Sequence, residues 1–220
     1  MIRTDYSTLR EFIDTEAARL ECRQLSLAPL AWVLTNKLAK VEGLWLEFGV
    51  YTGTSINAMA KFANGPVYGF DSFEGLPEDW REGKPQGRYS LQGRLPDVFE
   101  NVRLVPGWFD ETLPAFLEEH PEPAALVHID CDLYSSTRTV LTLLRERMVP
   151  GTILVFDELF NYPGYERHEI KAFYEFLKEG RVRCDWIGVK GPISLVPGPE
   201  VESTAGRNSG TAVRVVEVVE

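Results

Sequence analysis

The chain has 220 residues, 44% of them hydrophobic and 25% charged, which is the composition of a globular protein with enough length for one domain and a sizeable core. A formal net charge of −10, with no run of Lys or Arg, speaks against nucleic acid or anionic lipid as a partner. The three cysteines, Cys22, Cys131 and Cys184, make neither a zinc spacing nor a disulfide framework and fit a reducing cytoplasm.

The first stretch, residues 1–40, is charged throughout and lacks the apolar centre of a signal peptide. Leu9, Phe12, Ile13, Ala17 and Leu20 recur at helical spacing, which predicts a helix that Pro29 divides in two. This helical segment would cap a site or form a homodimer contact. Residues 41–220 are expected to make an α/β core within the same single domain. No run approaches the ~20 apolar residues of a membrane helix, so no membrane association is expected.

From residue 43 onward, apolar runs alternate with helical patterns. GLWLEFGV (43–50), VYGFD (67–71), VRLVPG (102–107), AALVHIDCD (124–132), GTILVFDE (151–158), VRCDWIGV (182–189) and TAVRVVEVVE (211–220) read as strands. TSINAMAKFA (54–63), TLPAFLEEH (112–120), SSTRTVLTLLRERM (135–148) and EIKAFYEFLKEG (169–180) read as helices. Val/Ile/Leu-rich strands alternating with helices predict a mostly parallel sheet of about seven strands, covered on both faces. The last two strands have no helix between them and are expected to pair antiparallel at one edge. Stretches 77–93 and 197–210 read as loops, the first placed where a lid over a site would lie.

EFGVYTGTS (47–55) joins the first strand to its helix. Gly49 and Gly53 allow close backbone approach, and Thr54 or Ser55 would cap the helix. Tyr51 stands where a dinucleotide fingerprint needs its second glycine, so that motif is absent. A tight turn alone would use the same glycines. Asp71, however, ends the next strand about 22 residues beyond Gly49, where an acid accepts the hydroxyls of a ribose. The Gly-x-x-x-Gly spacing suits an adenosyl group carrying an amino acid better than a pyrophosphate.

HIDCDLYSS (128–136) places Asp130 and Asp132 at a strand end, and the following strand ends in Asp157 and Glu158. Neighbouring parallel strands lie ~4.8 Å apart, so these carboxylates converge and repel unless protonated or bridged by a cation. Oxygen ligands without His or Cys select a hard ion such as Mg²⁺. The competing reading has these acids capping the helices near Ser135 and Glu166. Side-chain alternation puts Asp130 and Asp132 on one side, Asp130 toward a metal and Asp132 toward a substrate hydroxyl. His128 reads as a hydrogen-bonded core histidine, and Arg167 and His168, at the start of the next helix, as lining the mouth of the site or, more commonly, as an exposed helix face. Trp80, Trp108 and Phe109 are candidates for core or for an adenine wall, Trp108 foremost.

EFGVYTGTS, FDSFEGLP, LVPGWFDETLP, HIDCDLYSST and VFDE, in this order over about residues 44–190, resemble the macrocin O-methyltransferase (TylF-like) family. The resemblance implies a Rossmann-like class I methyltransferase fold that uses S-adenosylmethionine and Mg²⁺. It implies a cofactor site at Glu47, Gly49, Tyr51, Gly53, Thr54, Ser55, Asp71, Ser72, Trp108 and Asp130. It further implies metal ligation by Asp130, Asp157 and Glu158, with Asp132 as general base. Family members often carry aspartate at the position of Glu158, an oxygen ligand in either case. The acceptor would be a small-molecule hydroxyl, on a sugar or another vicinal diol. Two other readings stay open: a metal-dependent glycosyltransferase using Asp-x-Asp, and a non-catalytic relative that binds a small molecule.

Overall fold

The computed structural model describes residues 1–193 and 209–219. Most of the expected 197–210 loop lies outside them. Seven strands form one sheet: β1 (Leu44–Phe48), β2 (Val67–Asp71), β3 (Val102–Pro106), β4 (Ala124–Ile129), β5 (Ile153–Phe160), β6 (Val182–Val189) and β7 (Ser209–Val218). Their order is β3-β2-β1-β4-β5-β7-β6. The first five are parallel to one another, whereas β7 runs antiparallel to both β5 and β6. The antiparallel terminal pair appears as expected, but the last strand lies inside and β6 forms the edge.

Burial follows position in the sheet. Every residue of central β4 is buried, while edge strand β3 is buried only at its start. A strand covered by helices on both faces has no side that water can solvate, which is why β4 reads as an unbroken apolar run.

Among the described residues, six α-helices cover the faces: α1 (Leu9–Glu21), α2 (Pro29–Thr35), α3 (Thr54–Ala60), α4 (Phe109–Glu119), α5 (Tyr134–Leu144) and α6 (Glu169–Lys178). Phe12, Ile13 and Leu20 of α1 join the larger core with residues from α4, α5 and α6. Val33 and Leu34 of α2, with Ile56 and Met59 of α3, belong to a second core on the other face. Thr8 caps α1 by accepting the Glu11 backbone N–H at 3.1 Å, and Glu11 accepts the Ser7 N–H at 2.9 Å. Pro29 begins α2 rather than breaking a continuous helix, because a first-turn position needs no N–H. Buried Glu16 ties α1 to β6 by accepting the Trp186 indole N–H at 2.8 Å.

The strand order reverses at β1, whose neighbours β2 and β4 lead away in opposite directions. In such sheets the crevice beyond the carboxyl ends at this point takes the ligand. Register decides what meets there: Glu47 stands opposite His128, and Ile129 opposite Phe156. Among the described residues, no helix is long and apolar enough to cross a membrane.

Candidate active site

The β1–α3 connection is tightly wound, with positive φ at Gly49 (93°), Tyr51 (46°) and Gly53 (83°). Gly49 is required by close approach: a Cβ there would lie 1.9 Å from the Asp130 carbonyl oxygen. Asp71, at the end of β2, holds the turn. One carboxylate oxygen accepts the backbone N–H groups of Val50 and Tyr51, both at 2.8 Å, and the other accepts that of Phe73 at 2.7 Å. The acid expected to meet a ribose thus also builds the loop that would surround it. Gly53 is the N-cap of α3, and neither Thr54 nor Ser55 caps it. Both hydroxyl residues already lie within the first helical turn, whereas a side-chain cap must precede it.

A cavity of about 530 Å³ opens beyond the strand ends. Gly49, Tyr51, Asp71, Ser72 and Trp108 line it together with Asp130, Asp132 and Glu158. Glu47, Gly53, Thr54, Ser55 and Asp157 are not among its lining residues. The 77–93 stretch contributes Pro77 and Tyr89, and the Tyr89 ring meets Tyr51 edge-on at 5.5 Å. Trp80, from the same stretch, is buried against Tyr162 at 5.4 Å and His168 at 6.4 Å. It therefore anchors the loop instead of walling a cofactor. The described part of residues 1–40 supplies no lining residue.

The acids converge as their strand ends predict, with one difference. β4 ends at Ile129, and Asp132 sits at φ 64°, so the alternation that would align it with Asp130 no longer applies. Burial, then repulsion from Asp157, pushes Asp130 well above the usual carboxylate range. Burial, then the charge of Glu158, does the same to Asp132, which also hydrogen-bonds Glu158. No side chain caps α5 or α6, so the capping explanation of the acid cluster fails.

His128 is a buried, hydrogen-bonded histidine, its Nδ1 lying 2.8 Å from Glu47 Oε1. Its Nε2 lies 3.9 Å from Asp157 Oδ1, and His128, Asp130 and Asp157 offer ligand atoms all within 4.8 Å of one another. The expectation that no histidine is offered to a cation does not hold, because register brings the His128 ring between β1 and β5. Burial opposes the imidazolium, yet the flanking Asp157 and Glu47 carboxylates hold His128 well above its ordinary value.

Two further residues near this region, Glu169 and His168, are buried. Glu169, the first residue of α6, is fully buried, and neither carboxylate oxygen has a hydrogen-bond partner. Burial, followed by the charges of Asp132 and Glu158, drives it far up. Its place on the apolar face with Ile170 and Phe173 was the available signal. His168 is buried against Trp80 and Tyr162 rather than exposed, and desolvation, then Arg167 and Arg81, lowers it to about 4.

The comparisons with known proteins agree with this geometry. A methyltransferase-domain family model matches residues 46–159, just over half of the chain. The 8-demethyl-8-(2,3-dimethoxy-alpha-L-rhamnosyl)-tetracenomycin-C 4'-O-methyltransferase of Streptomyces olivaceus is 29% identical over 188 residues, 73% of this chain and 65% of that protein. The mycinamicin III 3''-O-methyltransferase of Micromonospora griseorubida is 36% identical over 151 residues, 54% of this chain and 56% of that one. The chain thus spans between half and two-thirds of the length of these relatives. Among solved structures, calicheamicin methyltransferase CalS11 superposes with a TM-score of 0.58 at 22% identity, covering 94% of this chain and 82% of its own. The O-methyltransferase NovP gives 0.58 at 20%, covering 92% and 80%. These likenesses establish the Rossmann-like class I fold. With the family model spanning the glycine loop, Asp71 and both pairs of strand-end acids, the chain belongs to the methyltransferase-domain family.

Proposed function

We propose that this chain is an S-adenosylmethionine-dependent O-methyltransferase of the macrocin O-methyltransferase (TylF-like) branch. Its acceptor is a hydroxyl of a sugar or another vicinal-diol natural product, and a divalent cation such as Mg²⁺ assists. One observation carries the reading: a single cavity is lined both by the Asp71-braced glycine loop and by Asp130, Asp132 and Glu158. The names of the relatives, O-methyltransferases of a rhamnosyl-tetracenomycin and of mycinamicin III, support the same chemistry.

The residues present fit both groups. The loop and Asp71 suit the nucleoside end of the cofactor, with Trp108 beside it. Asp130, Asp157 and Glu158 would hold the cation, and their mutual repulsion is the condition a cation relieves. When bound, S-adenosylmethionine supplies a methyl group on a sulfonium, and the cation supplies Lewis acidity at the acceptor oxygens.

The chain's own part is positioning and proton removal. Asp132 would take the proton of the acceptor hydroxyl, whose oxygen would receive the methyl group that bound S-adenosylmethionine supplies. Burial and Glu158 raise Asp132 above an ordinary aspartate, which strengthens it as a base. Pro77 and Tyr89 line the cavity from the 77–93 stretch, whose Trp80 is buried.

Calorimetric titration of S-adenosylmethionine, with Mg²⁺ and then with chelator, tests this reading. Micromolar binding in both conditions is expected, followed by transfer of labelled methyl to diol-bearing sugars. Asp132→Asn should keep cofactor affinity and lose about 10²–10⁴-fold in rate. No binding in either condition overturns the proposal.

A further inference from the structure

We infer that His128 is itself a cation ligand through Nε2. With Asp130 and Asp157 it would make a mixed nitrogen–oxygen site that prefers Mn²⁺ or Co²⁺ to Mg²⁺. The inference rests on the cation-assisted reading above and departs from an all-carboxylate site.

Three observations carry it. First, the His128 ring is 1% exposed and its Nε2 has no hydrogen-bond partner. A buried ring nitrogen with no hydrogen bond is costly unless something fills its place. Second, Nε2 lies 3.9 Å from Asp157 Oδ1. That is too long for a hydrogen bond, and wide enough for two atoms that share a metal at ~2.1 Å each. With Asp130, the donor atoms lie within 4.8 Å of one another. Third, the other ring nitrogen is already committed: Nδ1–H donates to Glu47 Oε1 at 2.8 Å. A carboxylate on one nitrogen fixes the ring and turns the other outward, which is how metal-binding histidines are oriented.

The register explains why the trio exists. Glu47 and His128 are direct neighbours across β1 and β4, and His128 faces Val155 on β5, two residues before Asp157. An imidazole donor moves the preference from Mg²⁺ toward later divalent ions. Glu47, absent from the cavity lining, thereby acquires a role as a positioning residue for His128.

The test is pulsed electron paramagnetic resonance on the chelator-stripped protein loaded with one equivalent of Mn²⁺, without S-adenosylmethionine or acceptor. Wild type should show imidazole ¹⁴N modulation of the Mn²⁺ signal, and His128→Gln should lose it while still binding Mn²⁺. Co²⁺ affinity should fall at least about tenfold in His128→Gln, and about tenfold in Glu47→Gln, with Mg²⁺ affinity changing far less. A purely structural histidine would not move the ratio of the two metals. If His128→Gln fails to fold, half-exposed Asp157→Asn takes its place. Loss of the nitrogen-coupled Mn²⁺ affinity there locates the nitrogen at this trio. Mn²⁺ bound without ¹⁴N modulation overturns the inference, as does modulation that survives His128→Gln or failure to bind Mn²⁺. Because cofactor binding is measured separately, any of these results leaves the methyltransferase reading standing.

Discussion

Asp71 accepts the backbone N–H of Tyr51 at 2.8 Å, which couples the end of β2 to a residue held at positive φ in the neighbouring loop. With the bonds from Val50 and Phe73, both carboxylate oxygens are engaged. Asp71→Asn would turn one of them into an amide donor facing an N–H group. The expected result is a loss of about 1–3 kcal/mol in stability, together with cofactor affinity weaker by about tenfold or more. Urea unfolding and calorimetry on the same variant check this. Weakened binding at unchanged stability would mean that Asp71 serves the ribose alone.

The two glycines of the loop should respond unequally. A Cβ at Gly49 would meet backbone at 1.9 Å, whereas at Gly53 the nearest atom is the Val98 Cγ1, at 3.2 Å. Both have positive φ, so Gly53→Ala should cost about 1–2 kcal/mol from conformation. Gly49→Ala adds a collision with the Asp130 carbonyl that no rotamer relieves, and at least about 3 kcal/mol is expected. Urea midpoints for the pair give the comparison. Equal losses would show that β4 moves aside easily.

Trp80 should control the order of the loop that borders the cavity. Its ring packs on Tyr162 and is stacked by the Arg81 guanidinium at 4.5 Å. Trp80→Ala removes that anchor, and tryptic cleavage at Arg81, Lys84 or Arg88 should become at least about tenfold faster. Acceptor KM should rise more than cofactor Kd. Unchanged proteolysis would place the anchor in the backbone bonds between Leu76 and residues 87–88.

Glu169→Gln should stabilise the metal-free protein. A carboxylate buried without partners beside other acids costs more than an amide of the same shape. Its folded pKa is raised above the unfolded value, so wild type loses stability as pH rises through that folded pKa. The variant has no such group to titrate. Its advantage should be near zero at about pH 4.5 and grow to about 1–3 kcal/mol at pH 8. Urea unfolding in chelator across this range measures it, and an advantage that shrinks with rising pH contradicts the assignment.

The sequence by itself carried the α/β alternation, the glycine loop, Asp71 and the convergence of acids at two strand ends. Each is a local matter: strand period, glycine at forced backbone angles, and acid at the end of an apolar run. These features sufficed for the fold class and for part of the cavity lining. Asp132 departed from its expected alignment because β4 stops at Ile129 and the chain turns to positive φ. Glu169 and His168 sat in a helix start that reads as exposed, and only the packing of α6 and Trp80 buries them. The place of β7 between β5 and β6, and the alignment of Glu47, His128 and Asp157, depend on strand register. Register is settled by distant segments competing to bury their apolar faces, so a nitrogen came to stand among the acids where each strand read alone offered only carboxylates.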